Sequence, residues 1–162
     1  MSSSALLLLV VLSAECPKEL FRIERSKNAN VVVYEGNRGT QTPIDADQPV
    51  SASWLLLATT GERARLGFLE KLLAYGFEAR VVEKGQSATL TLKALRGRPL
   101  KVVQREGCLA AIGSIDGAHA VLKRVFVTTD ERGATPKVIG VELFGVDAVT
   151  GAERTEKLVA GK

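Results

Sequence analysis

The sequence predicts a mainly β protein, a single-domain antiparallel sandwich or barrel of about nine strands with one amphipathic helix packed on it. Three observations lead there. From Phe77 to the C-terminus, short apolar or alternating runs are separated by turn residues. Residues 20–35 and the Asp116-Gly117 pair both read as hairpins. Only one stretch has helical spacing, and no strand–helix–strand alternation points to a parallel sheet.

Composition sets the outer bounds. A chain of 162 residues, 46% apolar and 25% charged, can build one sizeable core and is not extended disorder. Its 22 Lys and Arg against 18 Asp and Glu give +4, with cations scattered among acids. No basic stripe or nucleic-acid module is present, so a nucleic-acid partner is not expected.

At the N-terminus, Ala5 to Leu12 is a continuous apolar run followed by Ser13-Ala14 and then polar residues. This is the pattern of a signal peptide over residues 1–14, although Met1 to Ser4 carry no basic residue. The run is shorter than the roughly 20 apolar residues of a membrane span, so no transmembrane segment is expected. A buried first strand is the alternative. Export, to the periplasm, would let Cys16 and Cys108 pair, closing a loop of about 90 residues and contributing on the order of 4 kcal/mol. Glu15 disfavours a lipid anchor on Cys16, and two free thiols are the plainer reading.

The β-rich domain is expected over residues 19–160. Leu20 to Glu35, LFRIERSKNANVVVYE, reads as two strands around a polar turn. Gly36 to Pro49 is a surface loop rich in Gly, Pro, Asn and Asp. Val50 to Thr59 turns apolar on both faces at Trp54 to Leu57, predicting a strand that is central or lies beneath the helix. Thr59 and Glu62 suggest a capping box, and Leu66, Leu69, Leu72 and Leu73 form a stripe, so a helix is expected from about Gly61 to Tyr75, ended by Gly76 at positive φ. Strands follow at Phe77–Glu83, Ala88–Leu95, Leu100–Arg105, Cys108–Ile115, Ala118–Thr129 and Val138–Val146, with Glu153–Val159 as a frayed last strand.

Most familiar chemistry is missing. Ser114, Asp116 and His119 flank one hairpin turn, with no Gly-x-Ser-x-Gly elbow, and read as turn residues. One histidine and two distant cysteines offer no zinc or haem set. Asp45 and Asp47 lack the remaining ligands of a calcium loop. No phosphate-cradling glycine motif occurs, so no cofactor, metal or catalytic residue is assigned.

The opening hairpin remains. Asn28 and Asn30 suit a demanding turn held by its own side chains. Alternatively, Arg25 and Lys27 would hold a carboxylate or phosphate while Asn28, Asn30 and Tyr34 add neutral hydrogen bonds. Glu70 would either anchor one of those cations or join Arg25, Lys27 and Tyr75 in a hydrolase-type cleft as acid or base.

The Arg25-Ser-Lys-Asn-Ala-Asn30 segment with Val31 to Tyr34, Gln48-Pro49-Val50, Trp54, Glu70 and Ala74-Tyr75-Gly76-Phe77 resembles an uncharacterised bacterial domain-of-unknown-function family of small exported proteins, over most of residues 19 to 155. The resemblance implies location and domain extent, not a reaction. The leading expectation is a non-catalytic envelope domain that binds a ligand or partner protein. Its competitors are the Glu70 enzyme and a barrel with an apolar ligand inside.

Overall fold

A computed structural model describes residues 15–159, apart from the side chain of Leu73. The expected signal segment, residues 1–14, lies outside the described residues, as does residue 160. The elements are β1 (Glu19–Arg25), β2 (Asn28–Gly36), β3 (Val50–Leu55), β4 (Arg63–Arg65), α1 (Phe68–Leu73), β5 (Phe77–Val82), β6 (Ser87–Leu92), β7 (Leu100–Arg105), β8 (Cys108–Ile115), β9 (Ala118–Asp130), β10 (Lys137–Asp147) and β11 (Glu153–Val159). Among the described residues, mainly β architecture with one α-helix is as expected, and most strand bounds from Phe77 onward fall within a few residues of the sequence reading.

The strands form one curled sheet ordered β4-β3-β2-β1-β9-β8-β7-β6-β5, with β10 on β9 and β11 on β10. It contains eleven strands rather than about nine, and it is mixed. Arg22 to Arg25 of β1 run parallel to Arg124 to Val127 of β9, which corrects the all-antiparallel expectation. About a hundred positions separate those two strands in sequence, so no tight turn constrains their direction.

β9 organises the layout. Its first residues, Ala118 to Val121, pair with β8, and Arg124 to Val127 pair with β1. β10 runs along the other edge of β9 from Ala120 to Asp130. The sheet therefore forks into a β1–β4 wing and a β8–β5 wing. Their apolar faces meet, with Phe21, Tyr34 and Val32 of one wing sharing a core with Leu90, Val102 and Leu92 of the other. The Tyr34 and Phe77 rings meet edge to face at 5.7 Å, and Ile44 N–H donates to Gly85 C=O at 3.1 Å. Large side chains such as Phe21, Tyr34, Leu90 and Leu122 are buried in this interior.

The helix differs from the sequence reading. Arg63 to Arg65 pair with Ser53 to Leu55 as β4, so the helix starts at Phe68 instead of Gly61, and Thr59 and Glu62 cap nothing. Strand pairing overrides helical spacing here. Capping falls instead to Glu70, whose Oε2 accepts Gly67 N–H at 2.6 Å and Trp54 Nε1–H at 3.0 Å. Leu69 and Leu72 of the expected stripe are exposed, as is Phe68, whereas Leu66, ahead of the helix, is buried. Gly76 has no positive φ; it is needed because a Cβ there would collide with the Lys71 carbonyl oxygen.

β3 ends at Leu55 and is half-buried one place from the sheet edge, so it is not central; it reaches α1 through the Trp54–Glu70 hydrogen bond. β11 is not frayed. It pairs with β10 from Glu153 to Val159. Glu156 is gripped by Arg98 at 2.7 and 2.8 Å and accepts Asp116 N–H at 2.8 Å. That grip holds the Glu156 carboxyl below the usual carboxylate range, the Arg98 hydrogen bonds first.

Cys16 and Cys108 form a disulfide, with Cα atoms 5.3 Å apart. It ties the segment entering β1 to the start of β8, one wing to the other. The bridge spans 92 positions in sequence. Breaking it is therefore expected to lower unfolding stability by about 4 kcal/mol. Urea titration of oxidised protein against the Cys16→Ser/Cys108→Ser variant measures this, and coincident midpoints would contradict it.

A second prediction concerns acid. Asp147, at the end of β10, accepts the N–H groups of Thr150 and Val149 at 2.9 Å each and Arg154 Nη2–H at 2.8 Å. Those two N–H groups, then Arg154, hold its carboxyl well below the usual range. A lowered carboxylate pKa stabilises the fold above the unfolded value of about 4, and this contribution is lost as pH falls from there toward the folded value. Asp147→Asn is expected to flatten the acid limb of melting temperature against pH. An identical limb in both proteins would contradict the assignment.

Candidate functional site

The opening hairpin is where the sequence places it, but most of its polar side chains turn onto backbone. Ser26 and Lys27 make the two-residue turn, with Lys27 at φ 61° and exposed. Asn28 Oδ1 accepts Asn30 N–H at 3.0 Å, and Asn30 Oδ1 accepts Ala58 N–H at 3.0 Å, anchoring the β3–β4 loop. Tyr34 is fully buried, stacked on Phe21 at 4.7 Å, and donates its hydroxyl to Tyr75 C=O at 2.8 Å. Burial first, and Tyr75 second, hold its phenol well above the usual tyrosine value. Asn28, Asn30 and Tyr34 are thus occupied in holding the fold. Glu70 is occupied in capping α1.

Arg25 and Tyr75 behave differently, because both line a cleft of about 600 Å³ at the end of the fork. Ile23, Leu95, Val127, Val141 and Leu158 give it apolar walls, contributed by β1, the turn after β6, and β9 to β11. Its polar groups are Arg25, Lys93, Arg96, Arg98, Thr129 and Tyr75, with no Asp, Glu, His or Cys among the described residues that line it. Volume and lining match those of ligand pockets, which run about 300–1,000 Å³ with a few placed polar groups.

The four cations are not equivalent. Arg98 is neutralised by Glu156, and Lys93 Nζ donates to Leu72 C=O at 2.9 Å. Arg25 and Arg96 join no ion pair among the described residues. The Nε of Arg25 is buried without a hydrogen-bond partner, alone in this among the side-chain nitrogens and oxygens of the described residues. Leaving such a donor unmet costs about 1–3 kcal/mol, more for a charged group.

Two strand irregularities flank the cleft. β1 shifts register between Ile23 and Arg25, and β10 shifts between Val138 and Gly140. Bulges of this kind re-aim side chains next to binding sites. Tyr75, at the rim, meets Trp54 edge to face at 5.2 Å. Its phenol is raised by burial first, against the opposing charge of Arg25, with Glu70 raising it further.

Of the seven hairpin and helix residues singled out in sequence, the structure brings only Arg25 and Tyr75 into this cleft. Lys27 and Glu70 do not line it. Sequence reasoning missed Lys93, Arg96, Arg98 and Thr129. The Arg96-Gly-Arg98-Pro99 turn, with two cations beside a glycine, was the available signal for two of them.

The family described as a domain of unknown function (DUF4833) matches residues 21–157. No curated protein and no solved structure matches the chain.

Since Asn30 and Tyr34 hold backbone groups, their loss is expected to show in stability. Tyr34→Phe leaves the buried Tyr75 carbonyl unpaired and is expected to cost about 1–2 kcal/mol, while Asn30→Ala frees the exposed Ala58 N–H and is expected to cost about 0.5–1 kcal/mol. Chemical denaturation measures it, and either variant unfolding at the wild-type midpoint would contradict the structural role.

Proposed function

We propose that this chain, which belongs to the DUF4833 family of domains of unknown function, is a binding module for a small amphipathic anion, an apolar body bearing a carboxylate or phosphate. The anion's head would meet Arg25 and Arg96, and its body would lie on Ile23, Val127, Val141 and Leu158. The observation that carries this is the buried, unpartnered Nε of Arg25 in a cleft with apolar walls and no acid. A ligand oxygen supplies the missing acceptor, and a charge-assisted bond of that kind is stronger than a neutral one.

Binding is favoured over catalysis by the same lining. Proton transfer needs a positioned base, and the described residues that line the cleft include no carboxylate, imidazole or thiol. Glu70, the base of the enzyme alternative, faces Trp54 and Gly67 instead. Delivery to the cell envelope fits with the reading. The apolar run Ala5 to Leu12 supports it, and so does a disulfide, which persists in oxidising compartments.

A dansyl-labelled fatty acid tests the proposal. Saturable binding is expected, along with a change in emission from Trp54, the one tryptophan in the chain, through its contact with Tyr75. Arg25→Met is expected to weaken binding by about tenfold to a hundredfold, the worth of a hydrogen bond to a charged group. Because its Nε makes no bond in the fold, the same variant is expected to keep or gain stability. Absence of saturable binding, or equal affinity in Arg25→Met, would overturn the reading.

A further inference from the structure

The cleft opens beside a surface that the fold leaves apolar. On α1, Phe68 is 78% exposed, Leu69 64% and Leu72 49%. Glu70 is the one acid of that helix, and it is turned onto Trp54. Two cations lie at the helix. Lys71 is exposed in the last turn, and Lys93, part of the cleft lining, donates to Leu72 C=O at 2.9 Å. The chain leaves α1 through Ala74 and Tyr75, which also line the cleft, so helix and mouth are continuous. Across the mouth, the β10 bulge leaves Val138, itself a lining residue, and Ile139 about half exposed.

We infer that α1 docks this domain on an anionic lipid surface, with Phe68, Leu69 and Leu72 entering the interface and Lys71 and Lys93 meeting the headgroups. Charge and size select this occupant. Apolar side chains flanked by cations are what a short interfacial helix presents to anionic lipid. A six-residue helix is too small a surface for a stable protein partner, which needs about 800 Å² from each side. The inference rests on the cleft reading to the extent that a lipid surface is a source of amphipathic anions beside the mouth, but its test is separate.

Flotation with phosphatidylcholine vesicles, with and without phosphatidylglycerol, is the experiment. Wild-type protein is expected to float with the mixed vesicles and to be released by salt. Phe68→Ser with Leu69→Ser is expected to lower partitioning by at least about tenfold while melting at the wild-type temperature, since both side chains are exposed. This variant keeps every cleft residue, so it is expected to bind the dansyl fatty acid as before. Equal flotation of the two proteins would overturn the docking role, as would no flotation of a wild-type protein that still binds the probe. Self-association abolished by the same pair would assign the patch to a second copy and overturn it too. Flotation without probe binding would instead count against the cleft reading alone.

Discussion

One edge of β9 is shared by two strands, and the rest of the molecule depends on that sharing. Val121 is the last residue paired with β8 and Arg124 the first paired with β1. Only two residues separate an antiparallel neighbour from a parallel one. Strands twist against their neighbours, so two ribbons leaving one edge side by side diverge as they extend. Each wing has an apolar face that water disfavours, and closing one on the other buries both. The parallel pair is fastened beyond its ladder. Ser26 N–H donates to Val127 C=O at 2.9 Å, and Ser26 Oγ accepts Thr129 N–H at 2.9 Å. On the outer side, Arg124 lies 3.9 Å over the Phe144 ring and 3.3 Å from Glu24.

The cleft follows from this fork. At the Arg25 end the wings have separated, and β10 and β11 continue past them as a wall. The space between takes its apolar character from the same alternating pattern that builds the core, with Val127, Val141 and Leu158 facing inward. An all-apolar gap would gain by collapsing or filling with side chains. What stands in it is a guanidinium whose Nε has no acceptor. That Nε contributes no hydrogen bond to the fold, and departures from local consistency of this type concentrate at functional sites.

Strand after strand from Phe77 onward was legible because each depends on alternation and on a nearby turn, both local properties. The Asp116-Gly117 hairpin illustrates it, with both residues at positive φ and Ser114 paired to His119. The β1–β9 pairing was not legible, since nothing near Arg22 announces a parallel partner a hundred positions away. The helix misled for a related reason. Leu66, Leu69 and Leu72 have helical spacing, but the strand contacts of Arg63 to Arg65 outweigh it, and spacing says nothing about which face is covered. The candidate site was half legible. Arg25 stood out as a cation beside a turn, whereas Lys93, Arg96 and Arg98 reach the cleft only through the curl of the sheet. Asn28 and Asn30 show the opposite error, because amides suited to recognising a ligand are equally suited to recognising backbone.

The exposed side chains of α1 and the unmet donor of Arg25 are best understood together. Each alone is a modest departure: scattered surface leucines are ordinary, and an occasional buried donor goes unpaired. Their placement is less ordinary. Glu70 is the polar group that would make α1 a solvated helix, yet it is spent on Trp54 and Gly67, and the helix thereby shows its apolar residues beside the cleft mouth. On the opposite rim a bulge, which regular pairing would have avoided, exposes Val138 and Ile139. Exposed apolar side chains and the apolar walls of the cleft thus adjoin, and Lys93, which lines the cleft and binds the Leu72 carbonyl, lies at their junction.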